Sequence, residues 1–187
     1  STLNTTGSTI ITKEFFGSIE GNNHIISGNK KPIFNKATYS KIYNLKLEDT
    51  EIVTTEDNVG SMAKIMNTVE LENIVLKNAK ISSTKSNVGG LSGTLTHTKL
   101  NNVHITNTEV SGVNRVASIA GYAYSSSIKA SSASASILAS GNNCSGLIGE
   151  ATNKTNIENC YSVGSAVGNQ DIGGLVGVLN DSTITKL

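Results

Sequence analysis

The chain has few of the residues on which most β-sandwich cores are built. Among 187 residues there is no tryptophan, one proline, two cysteines and only 4% aromatic residues. This composition argues against a sandwich packed around large rings. The 18 glycines, together with abundant Ser, Thr and Asn, favour short strands joined by tight bends. We therefore expect a narrow core filled by small side chains.

Strong charge of one sign and long apolar runs are also missing. The formal net charge is +1, and Arg115 is the only arginine. Surfaces that bind nucleic acid concentrate Arg and Lys, and a membrane-spanning helix needs about 20 apolar residues in succession. We accordingly expect neither nucleic-acid binding nor membrane insertion.

A glycine motif of six residues recurs along the chain. Its copies are Val59-Gly-Ser-Met-Ala-Lys64, Val88-Gly-Gly-Leu-Ser-Gly93, Val116-Ala-Ser-Ile-Ala-Gly121, Cys144-Ser-Gly-Leu-Ile-Gly149 and Ile172-Gly-Gly-Leu-Val-Gly177. Their first residues are separated by 29, 28, 28 and 28 positions. A constant period between about 20 and 50 residues indicates a repeat architecture in which neighbouring repeats bury each other's apolar faces.

A second motif lies at a fixed distance from the first. It reads Ile42-Tyr-Asn-Leu-Lys-Leu47, Leu71-Glu-Asn-Ile-Val-Leu76, Leu100-Asn-Asn-Val-His-Ile105, Ile128-Lys-Ala-Ser-Ser-Ala133 and Ile157-Glu-Asn-Cys-Tyr-Ser162, with a start at Ile184. The apolar residues alternate with polar ones, and the alternation breaks once in each copy, which predicts a corner between two strands. Glycine and β-branched residues fill every repeat and no 3.6-residue apolar period is present, so helices are excluded.

These patterns predict an all-β fold, a right-handed parallel β-helix (β-solenoid) with about 28 residues per rung and roughly six rungs. Residues 1–31 are interpreted as an N-terminal capping segment, and residues 32–187 as the solenoid repeats. The last repeat is incomplete at Leu187, from which we expect the chain to be part of a longer protein. The corner residues are predicted to be Asn44, Asn73, Asn102, Asn159, Gly90, Gly146 and Gly174. The asparagines would form an internal ladder that Ala130 interrupts.

The residues that could carry chemistry do not form a recognisable site. Cys144 and Cys160 fall at inward positions, where we expect buried free thiols, although a disulfide remains possible. The three histidines, His24, His97 and His104, lack the spacing of zinc ligands. We therefore predict no catalytic residue, no metal ligand and no cofactor site in this segment.

One surface stripe is a candidate for contact with a partner. The predicted outward positions of the glycine motif are Ala63, Ser92, Ala120, Ile148 and Val176, flanked by Ile65, Thr94, Tyr122, Glu150 and Val178. The stripe becomes apolar toward the C-terminus, and contiguous exposed apolar area marks docking surfaces. We predict that Tyr122, Ile148, Val176 and Val178 contact another domain or protein. The alternative is that the assignment of inward and outward positions is wrong by one residue there.

The repeats resemble the GLUG-motif region of Gram-positive surface proteins, in Gly90-Leu-Ser-Gly93, Gly146-Leu-Ile-Gly149 and Gly174-Leu-Val-Gly177. The N-terminal part, with Phe16-Gly-Ser-Ile-Glu-Gly-Asn-Asn-His24, Pro32-Ile-Phe34 and Ile42-Tyr-Asn-Leu-Lys-Leu47, is similar to the non-catalytic region of the IgA1-protease-class (M26) zinc metalloproteases. The resemblance implies an extracellular parent, secreted or attached to the bacterial cell wall. It also implies a separate HExxH zinc domain, no residue of which is present in this chain.

Three functional hypotheses follow. The first is a non-catalytic solenoid that recognises or positions an immunoglobulin, such as host immunoglobulin A1, for a metalloprotease domain of the same chain. The second is a structural or adhesive repeat domain of a surface protein without a protease. The third is a carbohydrate-active β-helix enzyme, which would need clustered carboxylates in a groove.

Overall fold

A computed structural model of the chain describes residues 2–4 and 11–186. These residues form strands joined by bends, and none of them lies in a helix. Within the same residues no helix is long and apolar enough to cross a bilayer. The predicted all-β character is confirmed. Part of the predicted capping segment, residues 1 and 5–10, lies outside the described residues.

The strands of the described chain are short, and their bounds are as follows. They are β1 (Thr2–Asn4), β2 (Ile11–Phe15), β3 (Ser18–Glu20), β4 (Ile25–Ser27), β5 (Phe34–Thr38), β6 (Lys41–Glu48), β7 (Glu51–Thr54), β8 (Ala63–Asn67), β9 (Glu70–Lys77), β10 (Lys80–Ser83), β11 (Val88–Gly89), β12 (Ser92–Thr96), β13 (Lys99–Gly112), β14 (Val116–Ala117), β15 (Ala120–Tyr124), β16 (Ser127–Lys129), β17 (Ser132–Ala139), β18 (Cys144–Ser145), β19 (Ile148–Thr152), β20 (Asn156–Glu158), β21 (Tyr161–Val167), β22 (Ile172–Gly173), β23 (Val176–Leu179) and β24 (Thr183–Thr185).

All strand pairs are parallel, and they build three sheets. Sheet A follows the order β1-β4-β6-β9-β13-β16-β20-β24, with β3, β7, β10, β17 and β21 paired beside this path. Sheet B is β2-β5-β8-β12-β15-β19-β23, and sheet C is β11-β14-β18-β22. Residues in register are one turn apart, as in Leu71 beside Leu100 and Leu100 beside Ile128. The chain therefore winds as a parallel β-solenoid with about 28 residues per turn, as predicted, and it has about five turns where roughly six were predicted. Its right-handed sense remains a prediction.

The corners of the second motif are residues with a left-handed backbone. Asn44, Asn73, Asn102 and Asn159 have φ values of 52°, 55°, 56° and 52°, and Ala130 at the same place has 47°. Asparagine suits such a corner because its short polar side chain tolerates a conformation that other L-residues avoid. The amides also join successive turns, since Asn102 donates to Asn73 at 2.7 Å and Asn73 donates to Asn44 at 2.8 Å.

The sequence predicted an asparagine ladder inside the core, but in the structure the ladder lies outside it. Asn73 is exposed, and Asn44 and Asn102 are half-buried. The physical reason is the corner itself. Leu71 and Ile74 both point inward and are buried. Asn73, the left-handed residue at the corner of β9 between them, must therefore face outward.

Both ends of the ladder have polar partners. At the N-terminal end, Asn44 donates to the Glu20 carboxylate at 3.0 Å. At the other end, where Ala130 breaks the series, His104 Nε2 lies 2.7 Å from Asn102 Oδ1 and His104 Nδ1 lies 2.7 Å from Ser132 Oγ. An imidazole therefore closes the ladder at the turn that lacks an asparagine.

Ala130 offers a test of what the ladder contributes to stability. Replacing Ala130 with Asn should raise the free energy of unfolding by about 1 kcal/mol, because Asn tolerates left-handed φ better and its amide can bond the turns on either side. Urea unfolding followed by circular dichroism measures the change. Ala130→Gly is the control, since it relieves the backbone without adding an amide. An equal gain in both variants would show that the interturn amide bond adds nothing.

The core is aliphatic and runs the length of the coil. The large side chains with less than 2% exposure include Ile42, Leu71, Leu91 and Leu95. A buried hydroxyl series lies beside them and satisfies backbone groups at a corner. Thr98 accepts from the Val69 amide at 3.4 Å, and its own amide donates to Ser126 Oγ at 3.1 Å. Phe34, which is 1% exposed and stacks on Phe15 with ring centroids 4.9 Å apart, is the aromatic side chain of this core in the described residues, and elsewhere aliphatic and small side chains close the narrow interior.

Candidate binding surface

The outer face of sheet B carries one row of side chains that are in register from turn to turn. The row consists of Ile65, Thr94, Tyr122, Glu150 and Val178, each half-buried. Inward-facing residues alternate with them, such as Ala123 and Ala151, which are fully buried. We call this row the sheet B face. It contains two of the four residues predicted to contact a partner, Tyr122 and Val178.

The outward orientation predicted for Ile148 is wrong. Ile148 has 0% exposure and belongs to the core, as do Ala63, Ser92 and Ala120, which share its register position. Val176 continues this inward row and packs against the core, although it is half-buried in the last turn.

The cause of the error is the place of the bend. Leu147 and Ile148 are consecutive and both fully buried, so the chain turns between them, one residue later than the alternation had suggested. The structure therefore shows the stated alternative, in which the inward and outward positions of the stripe are displaced by one residue.

Tyr122 is the centre of a polar cluster on the sheet B face. The Arg115 guanidinium lies over its ring at 5.4 Å from the centroid, and the Tyr122 hydroxyl is 3.0 Å from Thr152 Oγ1. Arg115 Nη1 is also 3.4 Å from a Glu150 carboxylate oxygen, which accepts a 3.0 Å bond from Asn143. A cation over an aromatic face is favourable, and here it fixes the ring in place. The cluster therefore places the Tyr122 phenol, fixed in position, beside the ion pair of Arg115 and Glu150.

Arg115 occupies a corner where other turns place a small polar residue. The left-handed residues of this corner are Asn58, Asn87, Arg115, Asn143 and Asp171. Asn87 donates to Asn58 at 3.0 Å, but Asn87 Oδ1 and Arg115 Nε are both buried without a hydrogen-bond partner in the described part of the chain. The substitution of arginine for asparagine thus breaks this ladder and supplies the cation over Tyr122.

A second aromatic contact adjoins the first. Tyr124, two residues along the same strand, meets His97 edge to face with ring centroids 5.7 Å apart. His97 is exposed, and its backbone is left-handed with φ of 48°. Tyrosine rings with one apolar side and one polar tip are enriched where proteins bind other molecules. Tyr122 on the sheet B face and Tyr124 beside it therefore make the outer side of sheet B a candidate contact surface.

Opposite charges are stacked between neighbouring turns on sheet A. Glu70 lies between Lys41 at 3.2 Å and Lys99 at 3.6 Å, and Glu158 lies between Lys129 at 3.1 Å and Lys186 at 2.8 Å. The hydrogen bond from Lys41 lowers the pKa of Glu70. These exposed pairs favour the observed register, because a shift by one residue would separate them.

The titration of these glutamates predicts how the stability of the fold depends on pH. A carboxylate whose pKa is lowered by folding stabilises the folded state above the pKa of the unfolded chain, about 4.5, and this contribution is lost as the pH falls through the lower folded value. We expect the melting temperature to decrease below about pH 4.5, and Glu70→Gln to reduce that decrease by about 1–3 °C. Glu48→Gln, at a site without an ion pair among the described residues, is the control. Thermal melts between pH 3 and 7 provide the measurement, and parallel curves for Glu70→Gln and the unmodified chain would contradict the prediction.

The other chemically versatile side chains serve the structure. Cys144 and Cys160 are buried and unbonded to each other, as expected, and burial raises the pKa of both thiols. His104 belongs to the asparagine ladder. In residues 2–4 and 11–186, no three His, Cys, Asp or Glu side chains are grouped as metal ligands would be.

Sequence reasoning missed several of the residues that shape this surface. Arg115 is the only arginine of the sequence, but its contact with Tyr122 joins a bend to a strand and follows from no local pattern. The additional corners left a signal in the form of asparagines 29 positions apart, as in Asn58 and Asn87 or Asn78 and Asn107. Counting these pairs would have located two more corners.

The fold and the sheet B face define a class, a parallel β-solenoid whose outer rows of side chains form a continuous surface. Residues 2–75 match the family described as the M26 IgA1-specific metallo-endopeptidase N-terminal region. The resemblance expected from the N-terminal motifs is therefore confirmed over those residues, which are less than half of the chain. No curated protein matches the chain.

Proposed function

We propose that this chain is a non-catalytic solenoid domain of an extracellular M26-type metallopeptidase, secreted or bound to the bacterial cell wall, and that it holds the polypeptide substrate. The observation that carries the proposal is the match of residues 2–75 to the N-terminal region of that family. The family's description names IgA1 as the substrate of the peptidase, so host immunoglobulin A1 is the first partner to test.

The physical argument concerns rigidity. In a solenoid each turn is fixed by hydrogen bonds to the next, so side chains on one face keep constant spacing over its length. On the sheet B face, Tyr122 is held by Arg115 and Thr152 before any partner arrives. A side chain already fixed in place loses little conformational entropy on binding, which favours affinity.

Surface plasmon resonance with the 187-residue chain tests the proposal. We expect immobilised immunoglobulin A1 to bind with a Kd in the micromolar range and immunoglobulin G to bind at least tenfold more weakly. Tyr122→Ala should weaken binding by about tenfold, which corresponds to about 1.4 kcal/mol. Tyr43→Ala, on sheet A, is the matched control and should bind as the unmodified chain does.

Two outcomes would overturn the proposal. Absence of binding at 100 µM chain would favour the spacer or adhesin role, for which the unbroken stack of turns is equally suited. Equal loss in Tyr122→Ala and Tyr43→Ala would show that the sheet B face is not the contact surface.

A further inference from the structure

An open sheet edge lies near the N-terminal end of the described solenoid. Strand β7 pairs with β10 and with no other strand in the described residues. The first turn, which stacks next to the turn that contains β7, is shorter at this point. Asn29 is bonded to Glu51, 22 positions later, whereas Ile33 is bonded to Ser61, 28 positions later. Six residues of the second turn therefore have no counterpart in the described part of the first, and beyond Glu51 the outer edge of β7 has no described strand beside it.

On the open side of β7, one residue directs backbone groups that can form hydrogen bonds with another chain. The Thr50 and Thr54 carbonyls accept from the Lys80 and Thr84 amides, which places the even-numbered residues toward β10. Successive residues of a strand direct their backbone groups to opposite edges, so the N–H and C=O of Val53 face away from β10. Such an edge is a ready template for another extended chain.

A groove runs beside the open edge and has a volume of about 250 Å³. Its floor includes Pro32, Ile52 and Val59, which are buried, and the Val53 side chain beside it is 74% exposed. Because the floor residues are almost fully covered, the apolar group that the groove exposes is the Val53 side chain, beside Val53 backbone groups that have no partner among the described residues.

The rim of the groove is rich in lysine. Lys30 pairs with Glu51 and Lys64 pairs with Glu56, whereas Lys31 is exposed and has no ion pair in the part of the chain that the structure describes. Since this cation is not neutralised, a carboxylate near it would gain a partner without displacing one.

From these observations we propose that the β7 edge binds an extended acidic peptide by β-strand addition. The peptide backbone pairs with Val53, an apolar side chain of the peptide packs against the exposed Val53 side chain, and a carboxylate of the peptide reaches Lys31. Main-chain hydrogen bonds of this kind supply affinity, and the flanking side chains supply selectivity. The site is on sheet A, apart from the sheet B face, and it does not depend on the proposed immunoglobulin contact.

The test uses the 187-residue chain and a fluorescein-labelled peptide of alternating sequence, Glu-Val-Glu-Val-Glu-Val, in a fluorescence anisotropy titration. We expect a Kd of roughly 10–100 µM, in line with a short strand-addition contact. A Lys-Val-Lys-Val-Lys-Val peptide should bind at least tenfold more weakly. The same acidic peptide N-methylated at every residue, which cannot donate along the edge in either register, should also lose at least tenfold.

Variants of the protein then locate the site. Lys31→Glu should weaken binding of the acidic peptide at least fivefold, while Lys154→Glu, at an exposed lysine in a distant turn, should leave it unchanged. In hydrogen exchange measured by NMR, the Val53 amide should become at least tenfold slower when the peptide is bound. This readout reports the backbone pairing directly and requires no substitution.

Three results would overturn the inference. They are equal binding of the acidic and basic peptides, equal binding of the N-methylated peptide, or unchanged exchange at Val53 under saturating peptide. A dimer in analytical ultracentrifugation that protects Val53 without peptide would show instead that a second copy covers the edge.

Discussion

Substitution of Ile148 by Asp is expected to abolish cooperative folding of the C-terminal turns. Ile148 has 0% exposure and lies between Ala120 and Val176 in the inward row of sheet B. A carboxylate there would be buried without a partner in an aliphatic core, a change expected to cost about 4 kcal/mol or more. The loss should appear in circular dichroism as a lowered and broadened melt.

The matched control for this experiment is Ile65→Asp. Ile65 is on the same sheet but in the outer row, half-buried and in register with Lys36, so an aspartate there faces a cation on the neighbouring turn. Its melting temperature should change by less than about 3 °C. A folded Ile148→Asp chain with normal stability would restore the outward orientation that the sequence had suggested and contradict the register of β19.

The second large effect concerns one position of the glycine motif in two turns. A Cβ on Gly146 would lie 2.3 Å from Ser162 Oγ and 2.4 Å from the Gly174 carbonyl oxygen, both far inside van der Waals contact. A Cβ on Gly174, the equivalent residue one turn later, would meet no atom within 4 Å. Neither glycine has a positive φ, so the requirement at Gly146 arises from the turn stacked on it and not from its own backbone.

We therefore expect Gly146→Ala to destabilise the chain by about 2–4 kcal/mol, because the backbone of the last turn must move to admit the methyl group. Gly174→Ala should be neutral within about 0.5 kcal/mol. Urea midpoints of the two variants, compared with the unmodified chain, give the answer. Equal destabilisation by both would mean that the glycines are selected for backbone conformation, contrary to the close approach of the turns.

The period of the repeats was enough to predict the solenoid, because the stacking of turns is repeated in the sequence itself. Leu71, Leu100 and Ile128 are in register because each inward position must be apolar in every turn. The corner at Asn73 was also predictable, since strict alternation fails there. These features are local, and a single turn of sequence contains them.

Whether a side chain at a bend points inward or outward was harder to predict, because it depends on the residue at which the chain turns. At Leu147 and Ile148 a shift of one residue exchanged core for surface, and the sequence there is apolar on both sides. The contact joins Arg115, in the bend before β14, to Tyr122 in β15, and no other turn of the described chain has such a cation over a ring. The open edge of β7 could not be foreseen, since it arises from a shortened turn and not from any property of residues 51–54.

The amide bonds of the asparagine ladder all run in one sense. Asn102 donates to Asn73, Asn73 to Asn44, and Asn44 to the carboxylate of Glu20. Each coil of the polypeptide thus finds its acceptor on the coil synthesised before it, and the first acceptor is an anion that suits the donor end of a polarised series. Assembly that starts at Glu20 and proceeds with translation would give the side-chain amides of Asn44, Asn73 and Asn102 an acceptor as soon as each is synthesised. Assembly from the opposite end would leave each newly added donor without its acceptor until the next turn had formed.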